Sequence, residues 1–381
     1  MLRIALVALL LTGCELIADI PQGKLVADAA GGGGGDGGDG DGPPGSECTV
    51  NPECPPDRPT CDHGTCRGCA EDVDCDSGAC LPDGACAAAS RIIYAAPGGT
   101  GNACSQAQMC SLDTAVASLA AGRDVVKLAT GTYEQGNAFL PAADMILLGG
   151  DSTIHASAST ALIMFQLSQP VSTTLYRVHI QPEAGIGVQC GAGKLTSIRT
   201  RYTKALVGII SGTCETVIDR TTIRENTSYG LLFNNSVARV TNTFIVDNGV
   251  GDAGVIVFNM NGASTFEHNT IANNRASGGA ISGIRCQDSA AFVMRNNIVF
   301  GNTINPACVF ANSIVDPGYQ GGTDNLRADP QFLAVGSDYH IAPTSPAAGL
   351  ADPASTLDHD FDGEPRPRPA GSRRDVGADE I

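Results

Sequence analysis

Short strand-like triplets set beside asparagines recur along the middle of this chain, and that recurrence restricts the fold more than any other feature. Asn242-Thr243-Phe244-Ile245, Asn269-Thr270-Ile271-Ala272 and Asn296-Asn297-Ile298-Val299 follow one another at intervals of 27 residues, and Thr221-Thr222-Ile223 fits one unit earlier. The stretch from His268 to Asn274, HNTIANN, shows the logic. Asparagine is a poor strand residue, but it tolerates left-handed backbone and hydrogen-bonds locally, so it belongs where a strand bends sharply. The stretch therefore reads as a corner, a strand and a second corner.

A second marker runs in parallel. Glycine followed by aliphatic residues begins Gly187-Val188-Gln189-Cys190, Gly208-Ile209-Ile210-Ser211, Gly230-Leu231-Leu232-Phe233, Gly254-Val255-Ile256-Val257 and Gly283-Ile284-Arg285-Cys286, with gaps of 21, 22, 24 and 29 residues. Each unit then holds three short strands, with insertions collected in one turn, which describes a solenoid. Hairpins of an antiparallel sandwich would not need a turn offset held over whole units. The expected fold is all-β, a right-handed parallel β-helix over residues 91–345, with coils stacked about 4.8 Å apart and equivalent side chains above one another. Asn242, Asn269 and Asn296 are expected to form a ladder of amides down one bend, with the aliphatic positions stacked inward.

The flanks are of other kinds. Residues 1–13 carry one positive charge, Arg3, and then a short apolar run with the layout of a secretory signal. Leu11-Thr12-Gly13-Cys14 resembles the bacterial lipobox, which implies lipidation of Cys14 and attachment to a membrane through acyl chains. Glu15 in the next position implies the outer membrane or cell surface. Residues 14–47 include GGGGGDGGDGDGPPGS, too polar and glycine-rich to bury a core, and form a tether. Residues 48–88 hold Cys48, Cys54, Cys61, Cys66, Cys69, Cys75, Cys80 and Cys86 in two similar four-cysteine units. An exported chain favours disulfides over a zinc knuckle or redox pair at Cys66 and Cys69, but the spacing leaves the pairing open. The remaining cysteines suggest Cys104 with Cys110, Cys190 with Cys214, and Cys286 with Cys308. The formal net charge of −17 excludes nucleic acid as a partner.

The repeat pattern resembles the pectin-lyase-like superfamily of parallel β-helices. The opening Tyr94-Ala95-Ala96-Pro97-Gly98-Gly99, the helical stretch Leu112 to Ala121 and the strand before Gly131-Thr132-Tyr133 match the way such proteins begin. Asp329-Pro330-Gln331-Phe332, Asp338-Tyr339-His340-Ile341, Asp358-His359-Asp360-Phe361-Asp362-Gly363 and Asp375-Val376-Gly377-Ala378-Asp379-Glu380 resemble the C-terminal region of "choice-of-anchor Q" surface proteins. Residues 346–381 are thus expected to be a C-terminal capping region, with the N-terminal lipid in place of a sorting anchor.

For chemistry the sequence says less. If the residues after each marker glycine alternate inward and outward, Gln189, Ile210, Leu232, Ile256 and Arg285 face out, forming an apolar stripe where an enzyme of this fold would show acids or bases. Such a stripe calls for a partner, covered by turns containing Asp247 and Asp252 or by a protein or glycan. His268 is expected to be a solvated turn histidine. Asp358, Asp360 and Asp362 have the odd-position spacing of a Ca²⁺ loop, but Pro369 occupies the closing ligand position, so a turn that hydrogen-bonds Arg366 is expected there, with no cofactor. The expectation is a monomeric, lipid-anchored surface protein that binds polysaccharide, matrix or another protein without catalysis. The alternative is a lyase or hydrolase of an acidic polysaccharide.

Overall fold

A computed structural model describes residues 47–157, 163–249, 254–260, 263–274, 283–287 and 292–381. The signal segment, Cys14, Asp252 and nearly all of the tether fall outside these residues. The described chain winds as a parallel β-solenoid of three faces. One coil runs through Ile186–Cys190 on the first face, Lys194–Ile198 on the second and Arg201–Thr203 on the third. The next repeats it with Val207–Gly212, Glu215–Asp219 and Thr222–Arg224, each strand pairing in parallel with its equivalent one coil away.

Alternation along each strand sends every second side chain inward, and parallel register stacks like on like. Val188, Ile209, Leu231, Val255 and Ile284 form one such column, and Tyr202, Ile223, Ile245, Ile271, Val299 and Val315 another. All eleven are fully buried. At about 1.5–3 kcal/mol for each large aliphatic side chain, these columns dominate the stability of the solenoid.

The corner between the second and third faces differs from the expected ladder in its register. Arg199, Arg220, Asn242, His268, Asn296 and Asn312 occupy equivalent positions there, all with φ between 47° and 57°. The residue after each forms the ladder: Thr200, Thr221, Thr243, Asn269, Asn297 and Ser313. Asn269 Oδ1 accepts from Thr243 N at 3.1 Å, and Asn297 Oδ1 accepts from both Asn269 N at 2.9 Å and Asn269 Nδ2 at 3.1 Å. Asn242 and Asn296 therefore lie in the left-handed column, one residue out of step with Asn269. The cause is unequal coils: Thr243 and Asn269 are 26 apart, Asn269 and Asn297 are 28, and a constant spacing of 27 crosses from one column to the next. His268, in the left-handed column, is fully buried rather than solvated, with Nε2 at 2.8 Å from Ser355 Oγ.

A second amide ladder lines the corner after the third face. Asn226, Asn248, Asn274 and Asn302 bond in series through side-chain contacts of 2.8, 3.0 and 3.2 Å. Asp316 ends the stack by accepting from Gly301 N and Asn302 N. HNTIANN thus contributes Asn269 to one ladder and Asn274 to the other, with the strand Thr270–Ala272 between them.

Both ends of the core are closed. The helix Leu112–Ala117 starts at Ser111, whose hydroxyl accepts from Thr114 N at 3.2 Å, and buries Leu112, Ala115 and Val116. It stops short of the expected Ala121 because Ala120 and Arg123 exchange backbone hydrogen bonds in a tight turn. At the far end Tyr319 packs edge-on against Phe310 and donates its hydroxyl to Cys308 O at 2.6 Å.

The C-terminal segment lies along the third face rather than over the last coil. Ile341, Ala347, Ala351 and Val376 pack on Ile298 and Ile314, while Tyr339 and Ala378 pack with Phe244, Val246 and Ala272. Gly377 N donates to Asn296 O at 2.9 Å and Ala378 N to Thr270 Oγ1 at 3.0 Å. Within the segment Arg366 is buried and pairs with Glu380 at 2.7 Å. The cysteine-rich module repeats one crossed pairing, Cys48–Cys61 with Cys54–Cys66, then Cys69–Cys80 with Cys75–Cys86. Cys66 and Cys69 thus belong to separate units. Cys104–Cys110, Cys190–Cys214 and Cys286–Cys308 are also bonded.

Candidate functional site

The outward side chains of the third face change character along the axis. Coil by coil they run His179 and Gln181, Arg201 and Thr203, Thr222 and Arg224, then Phe244 and Val246, Thr270 and Ala272, Ile298 and Phe300. Parallel register places Arg201 beside both His179 and Thr222. The C-terminal segment covers the apolar coils and reaches the edge of the polar ones, where Arg224 Nη2 donates to Gly336 O at 3.0 Å and His359 Nε2 lies 3.2 Å from Asp219. Between it and Glu71 of the cysteine-rich module runs an open groove with two lobes, of about 440 and 610 Å³, that share His179, Arg201, Thr222 and Phe361.

Six of the chain's 23 Lys and Arg residues line this groove: Arg177, Arg199, Arg201, Lys204, Arg220 and Arg224. Three are held by carboxylates. Arg177 lies between Glu71 and Asp151, each at 3.1 Å, Arg220 pairs with Asp219 at 2.8 Å, and Arg224 meets Glu225 at 3.0 Å and Asp247 at 3.3 Å. For Arg199, Arg201 and Lys204 no carboxylate among the described residues lies within ion-pair reach. Arg201 and Lys204 are exposed. Arg199, Arg201 and Lys204 thus form a local basic cluster in a groove whose other cations are matched by carboxylates, on a chain with a formal charge of −17.

His179 sits at the join of the two lobes, with Nε2 at 2.6 Å from Thr203 Oγ1. Burial first, and then the charges of Arg201 and Lys204, push its pKa down to about 4, so the imidazole is neutral at physiological pH. The carboxylates in the groove wall are all engaged: Glu71 and Asp151 with Arg177, Glu225 with Arg224, and Asp338 and Asp362 with His340. The arrangement suits holding an anion by charge and hydrogen bonds. It lacks a pair of free carboxyl groups facing one another.

The residues singled out from sequence fall elsewhere. Gln189, Ile210, Leu232, Ile256 and Arg285 do form one column, in continuous parallel register on the first face. It is not an exposed apolar stripe: Ile210 and Leu232 are half-buried, and Ile256 is only 3% exposed. Asp247 is not beside that column. It stands at a left-handed corner under the C-terminal hairpin, accepting from Tyr339 Oη at 2.5 Å. Asp358, Asp360 and Asp362 do not converge as a Ca²⁺ loop would require. Asp358 faces His359 at 2.7 Å, buried Asp360 accepts from Glu364 N and Glu380 N, and Asp362 faces His340 at 3.1 Å. The groove cations carried a readable signal. Arg177, Arg199 and Arg220 stand one per coil, 22 and 21 residues apart, and the alignment on marker glycines passed over them.

The family model described as "Right handed beta helix region" matches residues 169–316. Among solved structures, one titled "Crystal structure of pectate lyase Pel9A" is similar, with 14% sequence identity and a TM-score of 0.35, covering 76% of this chain and 96% of that one. No curated protein matches the chain. The stacked parallel coils and the matched region together make this chain a right-handed β-helix repeat protein.

Proposed function

We propose that the protein is an exported, lipid-anchored surface protein that binds an acidic polysaccharide along the groove of its third face without cleaving it. The observation that carries this reading is the set of cations without carboxylate partners, Arg199, Arg201 and Lys204, which stand together on one coil of the open face. Gathered within one coil, these cations concentrate positive charge where a carboxylate of a polyuronate lying across that coil can meet more than one of them. The engaged state of the groove carboxylates supports binding over hydrolysis. Anchoring through Cys14, with the glycine-rich tether between lipid and module, would present this groove away from the membrane.

A second reading, an acidic-polysaccharide lyase, is favoured by one observation. Neutral His179 lies beside Arg201 and Lys204, a base next to cations that could hold a carboxylate. One experiment separates the two. Polygalacturonate and alginate are titrated into the full chain at low and high salt, and the mixtures are followed for the ultraviolet absorbance of unsaturated products. Saturable binding that weakens with salt and yields no product supports the first reading. Sustained product formation, lost in His179→Ala, establishes the second. Binding that is absent at low salt refutes both.

A further inference from the structure

We propose that His340, Asp362 and Asp379 form a Zn²⁺ site at the rim of the groove. The three come from separate parts of the C-terminal segment: the strand Asp338–Ile341, the turn after Phe361 and the tail. Their ligand atoms all lie within 4.8 Å of one another. Two ligands about 2.1 Å from a tetrahedral ion stand roughly 3.4 Å apart, so closure needs only small side-chain rotations. His340 Nε2 and Asp362 Oδ2 are already at 3.1 Å.

The surroundings prepare each ligand. Asp338 Oδ1 lies 2.5 Å from His340 Nδ1, which places the ring proton on Nδ1 and leaves Nε2 facing the carboxylates. A carboxylate behind a ligating histidine is the outer partner that such a ligand needs for orientation and basicity. Asp379 is buried, and its Oδ2 accepts from Ile341 N at 2.8 Å, which fixes the carboxyl group. Two carboxylates and one imidazole suit Zn²⁺, whereas Ca²⁺ takes about six to eight oxygen ligands. Three protein ligands leave a fourth position open. It would face the groove, because His340 lines one lobe and Asp362 the other. The site does not depend on the polysaccharide reading.

The test uses the full chain stripped with EDTA and titrated calorimetrically with ZnCl₂, with CaCl₂ as a parallel arm. Saturable uptake of a single Zn²⁺ is expected, with affinity falling at least about tenfold in His340→Gln and Asp362→Asn and by a similar factor in Asp338→Asn. Thermal unfolding should shift upward with Zn²⁺ in the parent chain and not in the variants. Asp362 is exposed, so Asp362→Asn should retain the parent circular dichroism in EDTA and decides the matter if His340→Gln fails to fold. Absence of saturable Zn²⁺ binding, or binding that Asp362→Asn leaves unchanged, overturns the proposal. So does tighter binding of Ca²⁺ than of Zn²⁺, and an imidazolium His340 merely paired with its carboxylates is then the correct description.

Discussion

Replacing Asn269 with leucine tests the corner register directly. Its Nδ2 donates to Val240 O at 2.9 Å, to Glu267 O at 3.1 Å and to Asn297 Oδ1, and its Oδ1 accepts from Thr243 N at 3.1 Å. Leucine has a similar volume but neither donor nor acceptor. Thr243 N and Val240 O, both inside the solenoid wall, then lose these side-chain partners. At about 1–3 kcal/mol for each buried polar group left unpaired, less some recovery from the added apolar surface, the expected loss is about 3 kcal/mol. Asn312→Gly is the control. Asn312 has φ 49° in the left-handed column, and no side-chain hydrogen bond from it occurs among the described residues. Glycine adopts that backbone freely at a small entropic cost, so a change within about 0.5 kcal/mol is expected. Urea unfolding followed by far-ultraviolet circular dichroism suits a chain with no Trp. A loss below about 1 kcal/mol for Asn269→Leu, or equal effects of the two substitutions, would refute the assignment of the two columns.

Cys190→Ser with Cys214→Ser opens a crosslink between neighbouring coils across 24 residues of sequence, and chain entropy puts the loss at about 3 kcal/mol. The same urea titration reads it. Docking of the C-terminal segment should depend on pH through His359 and Asp219, which are 3.2 Å apart. Burial pushes the His359 pKa down, but its bond to Asp219 and that residue's charge outweigh it, so the net shift is upward. Burial likewise raises Asp219, and His359 with Arg220 outweighs it, so the net shift is downward. A raised histidine stabilises fully below its unfolded pKa and loses that as pH rises through its folded value, while a lowered aspartate loses its contribution as pH falls. Exchange protection of the Gly377 amide should thus peak between about pH 4 and 6.5, and His359→Gln should flatten the profile on both sides. In the groove, Arg201→Ala with Lys204→Ala should weaken polyuronate binding roughly tenfold at low salt and reduce its salt dependence, with unchanged thermal stability because both side chains are exposed.

The period of the chain was legible because a solenoid repeats its hydrophobic columns in sequence as well as in space. Val188, Ile209, Leu231, Val255 and Ile284 can be read straight off the marker glycines. The register of the corner was not legible, since it depends on whether extra residues in one coil are returned in the next. Only the hydrogen bonds joining Thr243, Asn269 and Asn297 reveal coils of unequal length. Crossed pairing in the cysteine-rich units was equally hidden, because the spacing of four cysteines is compatible with every connectivity. Disulfides of such short loops are worth about 3 kcal/mol each, enough to hold units that bury little apolar surface of their own.

The groove was missed for a different reason, which lies in what covers the third face. Outward Phe244, Val246 and Ile298 would look, from sequence, like the exposed apolar patch of a binding surface. They are instead the seat of a segment that begins beyond Ile314 in the chain and returns across the coils. That return leaves open the coils carrying His179, Arg201 and Arg224, and the same segment brings Phe361, Asp362 and His340 to their edge. The position of the site is therefore set by where an apolar cover ends, a long-range relation that periodicity within the repeats does not contain. Polar outward residues in the open coils and apolar ones beneath the cover are two consequences of one boundary.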